Sequence, residues 1–368
     1  MTCFKDKEKM YMIQMTSCQF VAGAKRALVM DLQRGRFQPV PVHMKELVET
    51  YNGKQLLTMY AAFDITQHPV LDEYLRFLLE EEYIFLSEDA ADADRFISLP
   101  LTTAYYSPVG NAIIDIDAQS DFNVVGLIHQ LTALGCEHIQ VRAYSPQSVQ
   151  ELLALAAATT ETVCRCIEFI VPYDEHFKTT DWNHLFAGHQ RIGSITCYGA
   201  PGNGTDHYVA GLIPVHFIEQ VITGEDHCGI FHPHYFTSNA LHFIESRHHN
   251  TCLNRKIAVD KAGYIRNCPS MPQHYGHVSA TTLQEALNNP AFRQHWRIHK
   301  EMVQACRDCE FRHVCTDCRA YLEDPHDGCS KPLKCGYDPY TATWTSWADN
   351  PLKQAAIAFY EIDVSCSA

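Results

Sequence analysis

The spacing of the cysteines constrains this chain more than any other feature of its sequence. Nine of its 16 cysteines lie between residues 228 and 335. The densest run, over residues 306–318, has the pattern C-x2-C-x5-C-x2-C. Thiolates at such short, irregular intervals wrap around a metal ion or cluster more readily than they pair as disulfides. The spacing therefore predicts a metal-binding region in this part of the chain.

The composition is that of an ordinary folded protein. The 368 residues leave room for two or three domains, and 46% of them are hydrophobic and 20% charged. The first residues contain no apolar stretch typical of a signal peptide, and no apolar run approaches the roughly 18 residues that cross a bilayer. We therefore expect a cytoplasmic protein without a membrane partner, in which clustered, reduced cysteines bind metal. A net charge of −14 argues against a nucleic-acid partner.

Residues 1–90 have the pattern of a small winged-helix domain. A hairpin is predicted over 27–42, with its turn at Arg34-Gly35 and with Pro39 and Pro41 marking an edge strand. Helical periodicity and a closing strand follow, with helices over 43–51, 54–61 and 69–82 and the strand over 83–86.

From residue 105 to 224 the pattern changes to alternating strands and helices. Strands are predicted over 112–117, 138–143, 164–172 and 191–198, helices over 121–134, 146–158 and 181–189, and a fifth unit over 206–223. This rhythm indicates an α/β fold with a parallel sheet, either a partial (β/α) barrel or an open sheet. A complete eight-stranded barrel does not fit this length.

The cysteine-rich part, residues 225–345, begins with a hairpin that carries a cysteine at each end. Cys252 and Cys268 flank a turn at residues 260–263, so both thiols can reach one centre. One long amphipathic helix is predicted next, with its apolar side formed by Leu283, Leu287, Phe292, Trp296 and Val303. A tail over 346–368 follows, and a docking helix or strand is expected within 344–361.

This cysteine pattern resembles the SPASM domain, the auxiliary-cluster module of radical S-adenosylmethionine (SAM) enzymes that modify peptides. The hairpin has that domain's C-x(9–15)-G-x4-C start, and C-x2-C-x5-C resembles its second block, although this chain continues with C-x2-C where the family usually has C-x3-C. The resemblance implies two [4Fe–4S] clusters, one held by Cys306, Cys309, Cys315 and Cys335, and the other by Cys228, Cys252, Cys268 and Cys318, with Cys329 as a spare candidate. Zinc would suit the same four-thiolate sites, so the metal stays open.

Further segments resemble the SPASM-containing peptide maturase of the "grasp-with-spasm" systems. These segments span residues 267–271, 275–276, 309–312, 316–319 and 331–341. Such systems pair an ATP-grasp ligase with a protein of this kind to mature a ribosomally made peptide. The resemblance therefore implies two partners, a ribosomal precursor peptide and an ATP-grasp ligase.

The barrel region lacks the cysteines of radical chemistry. A radical-SAM barrel carries C-x3-C-x2-C after its first strand, whereas residues 118–125 here read Ala-Gln-Ser-Asp-Phe-Asn-Val-Val. The Gly-Gly-Glu-Pro-like turn that grips the methionyl amine is missing as well. We therefore expect a degenerate partial (β/α) barrel without SAM. Four cysteines of this region are expected to be buried core residues: Cys136, Cys164, Cys166 and Cys197.

The N-terminal domain resembles the leader-recognition domain (RRE) that is fused to many peptide-modifying enzymes. The resemblance implies a leader peptide that adds a strand beside residues 36–42 and packs on helix 69–82. The leader-binding residues would then be Phe37, Val40, Val42, Val70, Tyr74 and Phe77. The alternative is a structural domain without a ligand.

Other polar groups are weaker candidates, because each is also compatible with ordinary solvated side chains. They are His227, His232 and His234 for a metal, His248 and His249 for hydrogen bonds to cluster sulfurs, Asp115, Asp117 and Asp121 for a hard cation, and Arg142 for an anion.

Three functions stay open at this point, and with them the question of whether the protein is an enzyme. The first is a non-radical scaffold that presents a precursor peptide beside an ATP-grasp ligase. The second is a metal-dependent enzyme that uses an open iron site on an auxiliary cluster. The third is a zinc-stapled adaptor protein.

Overall fold

The computed structural model of the chain describes residues 4–97, 99–100, 102, 104–208, 213–362 and 364. Some residues of the predicted units lie outside this range: 1–3 of the N-terminal domain, 209–212 of the fifth barrel unit, and 363 and 365–368 of the tail.

Residues 11–95 contain five strands and four helices. The strands are β1 (Tyr11–Gln14), β2 (Cys18–Ala22), β3 (Ala27–Asp31), β4 (Arg36–Val40) and β5 (Ile84–Ser87), and the helices are α1 (Val42–Tyr51), α2 (Leu56–Ala61), α3 (His68–Glu80) and α4 (Asp92–Arg95). Strands β2, β3 and β4 form an antiparallel sheet, and β1 pairs with β5. The predicted hairpin, three helices and closing strand are confirmed. Strands β1 and β2 were not predicted, because four or five residues show little periodicity.

The sheet β2–β4 is covered on both faces, and β3 is buried along its whole length. Val29 belongs to the hydrophobic core that the sheet shares with α1–α3. Met30 points the opposite way and packs in a second cluster with Phe243 and Phe311 of the C-terminal region. The N-terminal sheet is therefore a layer between its own helices and the cysteine-rich region.

An eight-stranded, largely parallel sheet forms the centre of the molecule. Its strands are β6 (Asn111–Ile116), β7 (His138–Ala143), β8 (Cys166–Pro172), β9 (Ile192–Tyr198), β10 (Gly204–Tyr208), β11 (Ile213–Ile218), β12 (Lys256–Val259) and β13 (Ile265–Arg266). Their order is β10-β11-β9-β8-β7-β6-β12-β13, with antiparallel pairing only at the two edges, β10–β11 and β12–β13. The parallel sheet and its first four strands are confirmed, and the sheet stays open as a partial barrel.

One face of this sheet is apolar and covered by helices. The helices of the barrel are α5 (Val124–Ala133), α6 (Val149–Ala157), α7 (His176–Thr179) and α8 (Trp182–Ala187). Ile114, Val141, Phe169 and Ile195 are fully buried beneath them. Because side chains alternate along a strand, the residues between them point to the opposite face, which carries mostly polar groups.

The predicted cysteine-bearing hairpin is β12–β13, and it extends this sheet. Gly263 turns the hairpin at φ +85°, and Val259 pairs with Ile265. Strand β12 lies parallel to β6, and its Ile257 joins the same core. Sequence periodicity missed this pairing, because 139 residues separate the ends of β6 and β12.

The C-terminal part is held together by short elements. They are α9 (Ala240–His248), α10 (Leu283–Asn288), β14 (Tyr337–Asp338), β15 (Thr343–Trp344) and α11 (Gln354–Phe359). The prediction of one long helix from residue 283 is wrong, since α10 ends before Pro290 and a 3₁₀ helix follows over Pro290–Arg297. Proline has no N–H to continue an α-helix, and it holds Asn289 in an extended conformation.

No helix in the described part of the chain is long and apolar enough to span a bilayer.

Candidate metal centres

Four cysteines of the C-terminal part line one cavity. We call Cys306, Cys309, Cys315 and Cys335 the first cysteine set. The volume of the cavity is about 20 Å³. Half of the remaining lining residues are aromatic, namely Phe231, Phe236, Phe311, Tyr337 and Trp344. The first cysteine set therefore surrounds a space that is largely apolar.

Short turns bring these thiols together. Two 3₁₀ helices, Cys306–Asp308 and Glu310–His313, flank Cys309, whose backbone is extended. Ala305 reverses the chain before them with a φ of +57°. A continuous α-helix would place Cys315 about 13.5 Å along the axis from Cys306. The broken backbone instead lets both side chains reach the same cavity.

A buried ammonium group stands beside the first cysteine set. The Nζ of Lys300 lies 3.9 Å from the Sγ of Cys306 and 3.7 Å from Oδ1 of Asp317. Burial alone lowers the pKa of Lys300, but the charges of Cys306, Cys315 and Asp317 raise it above its ordinary value. Lys300 therefore stays positive and can offset the negative charge of a thiolate set.

Without a metal, the buried thiols of Cys306 and Cys309 hold their protons. Burial raises the pKa of Cys306 to about 12, against the opposing charge of Lys300. Burial likewise raises the pKa of Cys309 well above its ordinary value. Since metals bind thiolates, loading of this site releases protons.

Four further cysteines come from separate segments and face one another. We call Cys228, Cys252, Cys268 and Cys318 the second cysteine set. Burial raises the pKa of Cys268 to about 12, and the charges of Cys252, Cys228 and Cys318 act on it in the same direction. Gly229 lies so close that a Cβ there would stand 3.2 Å from the Sγ of Cys318. Two members of this set, Cys252 and Cys268, lie just outside the two ends of the hairpin β12–β13, which brings them together.

Two lysines contact the second cysteine set, which is more open than the first. The Nζ of Lys256 lies 3.5 Å from the Sγ of Cys252. Lys334 donates to the carbonyl of Cys228 at 2.9 Å and lies over the ring of Tyr321. Cys228 itself is exposed to solvent.

Each set offers the four thiolates that a [4Fe–4S] cluster takes. Zinc also accepts four thiolates, at about 2.3 Å from a single ion. Among the described residues, no three His, Cys, Asp or Glu side chains converge closely enough to hold one metal ion. The donor chemistry fits both metals.

Cys329 does not line the cavity of the first cysteine set. Its N–H donates to Asp327 at 2.9 Å, and its carbonyl accepts from the N–H of Gln304 at 2.9 Å. It is not among the main charges that act on the pKa of Cys268 or Cys318, whereas Cys228 is. Cys228 as the fourth ligand of the second cysteine set stays a prediction, and its electrostatic proximity to Cys268 and Cys318 agrees with it.

The cysteines of the barrel have a different role. Cys136, Cys164 and Cys197 are buried in the core of the central sheet, as expected. Cys166 differs from the expectation, because it is half-buried and points to the polar face.

The polar groups predicted near the carboxyl end of the sheet neutralise each other. Arg142 donates from Nε and Nη2 to the two carboxylate oxygens of Asp115, at 2.6 and 2.7 Å. Both residues are buried, and Tyr144 donates to the same carboxylate at 3.3 Å. Arg142 is therefore not free for an anion, and Asp115 is not free for a hard cation. The carboxylate of Asp117 accepts from the N–H of Gln119 at 2.8 Å, while Asp121 is exposed.

The histidines near Cys228 do not form the predicted metal site. His227 contacts Gln220 at 3.3 Å and Thr223 at 3.1 Å, whereas the rings of His232 and His234 pack on each other at 4.7 Å.

The histidine pair before Cys252 also lacks its predicted role in the described structure. His248 is exposed, and His249 interacts with the backbone of Trp296.

Two of the predicted leader-binding residues line a groove. Val70 and Tyr74 face an open space of about 450 Å³ between α1 and α3. Leu47 and Tyr51 form the α1 side of this groove, and Val70 is 48% exposed. An apolar surface is therefore available on the N-terminal domain.

The other predicted leader-binding residues are engaged within the protein. Phe37 packs against Phe236, with ring centroids 6.1 Å apart. Phe77 packs against the ring of Tyr83 at 5.9 Å. Val40 is buried in the N-terminal core, and Val42 is half-buried at the first position of α1.

The N-terminal sheet docks directly on the first cysteine set, a contact that sequence reasoning missed. Arg26 donates from Nε to Oε1 of the fully buried Glu310 at 2.6 Å, and the N–H of Ala24 donates to the carbonyl of Asp308 at 2.7 Å. The turn approaches so closely that a Cβ at Gly23 would stand 2.7 Å from the backbone nitrogen of Glu310. Arg26 and Glu310 are 284 residues apart, so no local pattern could join them.

Comparison with known proteins gives only a distant structural likeness. No family model matches the chain, and no curated protein matches it. The solved structures found include SuiB of Streptococcus suis bound to S-adenosylmethionine (8% identity, TM-score 0.35), SuiB alone (9%, 0.34) and SuiB bound to its precursor peptide SuiA (8%, 0.28). Each alignment covers 87% of this chain and 98% of the other. Superpositions with such low scores do not establish a shared fold or function.

Proposed function

We propose that this protein takes part in the maturation of a ribosomally synthesised precursor peptide. In this proposal it binds the leader of that peptide, carries two metal clusters and works beside an ATP-grasp ligase without radical-SAM chemistry. The observation that carries the proposal is the pair of four-cysteine sets, the first of which is packed against the N-terminal sheet. The resemblance of the same cysteines to a SPASM domain supports the link to peptides.

The proposed cofactors are two [4Fe–4S] clusters. The thiols of the first cysteine set surround a cavity, as ligands of a cluster with one thiolate on each iron would. The buried ammonium groups of Lys300 and Lys256 suit an anionic cluster at each set. When bound, such clusters can supply electron transfer or Lewis acidity, or act only as structural ties.

The proposed absence of radical-SAM chemistry rests on the residues that follow β6. Residues 117–123 contain no cysteine, so this segment offers no thiolates for a third cluster. A SAM-cleavage assay on the reconstituted protein should therefore be negative, and detection of 5′-deoxyadenosine would contradict the proposal.

The proposed leader site is the groove between α1 and α3. Strand addition at β4 would be weak, because Pro39 and Pro41 have no N–H to donate at the free edge. Phe37 is also already packed against Phe236. An apolar segment of the leader could instead bury the exposed side of Val70 and contact Tyr74.

The metal assignment is tested by anaerobic reconstitution of the whole chain, followed by iron, sulfide and zinc analysis. We expect about eight iron and eight sulfide per chain. Two zinc ions without sulfide would exclude the clusters and favour a zinc-stapled adaptor protein.

The leader site is tested with peptides selected from a random library on the immobilised, metal-loaded protein. We expect Val70→Asp to weaken their binding about tenfold or more, because it places a charge in an apolar contact. The matched control is Ile65→Asp, since Ile65 is 72% exposed but does not line the groove. Equal binding by both variants would remove the groove from the proposal.

A metal-dependent enzyme is the second candidate, and the exposure of Cys228 favours it. A cluster ligand that solvent can reach is the one most easily replaced by a substrate group. Spectral changes of the iron centre on addition of thiols or carboxylates, present in the wild type and altered in Cys228→Ser, would support an open iron site. A spectrum that no added donor changes would leave the clusters with a structural role.

A further inference from the structure

The polar face of the central sheet contains a pocket that neither cysteine set uses. It has a volume of about 230 Å³ and lies over the first residues of four adjacent parallel strands. Those first residues are Lys256 of β12, Asn111 of β6, His138 of β7 and Cys166 of β8. Ligands of α/β folds usually bind at the opposite, carboxyl ends of the strands, so the position of this pocket is unusual.

The strand register fixes the floor of the pocket. Gln140 of β7 is the neighbour of Glu168 on β8, and Glu168 is the neighbour of Ser194 on β9. The Sγ of Cys166 fills the space above Gly193, because a Cβ at Gly193 would stand 2.3 Å from it. Two residues further along β6 and β7, on the same face of the sheet, lie Asp115 and Arg142, which form a bidentate ion pair. The pocket is therefore bounded by side chains that the sheet holds in place.

Glu168 supplies the negative charge of this pocket, and its recorded partners are neutral. Its carboxylate accepts from Nε2 of Gln140 at 3.3 Å and from Oγ of Ser194 at 3.4 Å. Both hydrogen bonds are longer than usual, so they leave most of the acceptor capacity of a carboxylate free. Among the residues that the structure describes, no cation forms an ion pair with this half-buried carboxylate, so its charge has no close counter-charge.

The lysine of the same pocket has another partner. The ammonium group of Lys256 is directed to Cys252, 3.5 Å away, and carries the charge balance of the second cysteine set. It thus marks the end of the pocket that lies next to this set. A ligand held at Glu168 would lie over the first residues of β6, β7 and β8.

We propose that this pocket binds a cationic group, an ammonium or a guanidinium, through Glu168. Both cations present several N–H donors, which match the free lone pairs of the carboxylate and the amide oxygen of Gln140. The volume suits one side chain or chain terminus and is smaller than the usual site of a drug-sized ligand. The inference deepens the proposed function, because it assigns a place to a lysine, an arginine or the amino terminus of the peptide.

The experiment uses the full, metal-loaded chain and three small probes: n-butylammonium, methylguanidinium and the neutral N-butylacetamide. Binding is measured by ligand-observed NMR titration. We expect one or both cations to bind and the neutral probe not to bind. The stronger cation indicates which group of a peptide the pocket takes.

The deciding variant is Glu168→Gln, which keeps the size of the side chain and removes its charge. We expect it to weaken cation binding about tenfold or more, the effect of losing a charge-assisted hydrogen bond. Glu168→Asp should retain more of the binding than Glu168→Gln. The matched control is Glu137→Gln, because Glu137 is exposed to solvent and paired with Arg165 on the surface.

Several results would overturn the inference. They are the absence of cation binding to the wild type, equal binding by Glu168→Gln, and an equal loss in Glu137→Gln. Iron content and peptide binding at the α1–α3 groove are measured on the same samples. If these two persist while cation binding fails, the pocket is wrong and the proposed function stands.

Discussion

The two cysteine sets offer the same ligands but are built in different ways. The first comes from one stretch of chain, residues 306–335, that folds around its own cavity. The second draws Cys228, Cys252, Cys268 and Cys318 from segments spread over some 90 residues. Closing long loops removes more disorder from the unfolded chain than closing short ones. A metal centre bound by the second cysteine set would therefore link the central sheet to the C-terminal part. One bound by the first set would hold a single stretch of chain, residues 306–335, in place.

The neighbours of the two sets differ as well. The first cysteine set is roofed by aromatic rings and supports the N-terminal sheet through Glu310. The second lies beside the central sheet, and its Cys228 is exposed. The first cysteine set is thus placed to connect the N-terminal sheet with the C-terminal part, and the second is placed where a ligand from solvent can bind.

The largest expected effect follows removal of the two proposed clusters with an iron chelator. We expect residues 225–345 to lose most of their structure, because metal–thiolate bonding contributes on the order of 10 kcal/mol to the folding of small metal domains. Strands β6–β9 have their own apolar core and should stay folded. Hydrogen exchange measured by mass spectrometry checks this difference, and equal loss of protection in both regions would contradict it.

Single cysteine variants separate the two sets. Cys309→Ala and Cys268→Ala should each remove about four iron per chain. Cys228→Ala should remove less, because water can reach this exposed position and replace the thiolate.

The control for the cysteine variants is Cys329→Ala, which should keep the full iron content. If Cys329→Ala loses iron while Cys228→Ala keeps its full iron content, Cys329 is a ligand of the second cysteine set and Cys228 is not.

Replacement of the lysine beside each cysteine set should change the midpoint potential of the cluster at that set only. Lys300→Met removes a positive charge beside the first cysteine set and should lower its midpoint potential by about 60 mV or more, equivalent to a tenfold change in a one-electron equilibrium. Lys256→Met should act in the same way on the second set only. Redox titration followed by electron paramagnetic resonance measures both shifts, and a common shift of both signals would mean that the sets are not electrostatically separate.

The smallest effect is expected for the contact between Arg26, beside the N-terminal sheet, and Glu310, and it is an effect on stability. Arg26→Ala should lower the free energy of unfolding by about 1–2 kcal/mol, since Glu310 loses a charged partner but keeps the hydroxyl of Tyr337. Lys25→Ala is the control, because Lys25 is exposed and should change stability by less than about 0.5 kcal/mol. Urea unfolding of both variants compares them, and equal stabilities would show that this ion pair contributes nothing.

Periodicity was sufficient where an element is long or carries a clear turn. The parallel strands and the hairpin at Gly263 follow from local patterns of apolar residues and glycine. The helix beyond residue 283 was predicted too long, because its apolar spacing continues although Pro290 ends the hydrogen-bonded backbone. Strand β1 was not predicted, because its four residues are too few to show an alternation of apolar and polar side chains.

The sequence by itself determined the cysteine spacing, the α/β rhythm and the absence of a cysteine triad after β6. These are local properties, and the backbone expresses them directly. Tertiary structure decided that Cys228 lies within electrostatic reach of Cys268 and Cys318, that Phe37 packs inside the protein, and that Glu168 lies in a pocket. Each of these depends on contacts between residues far apart in the chain, which no local pattern encodes.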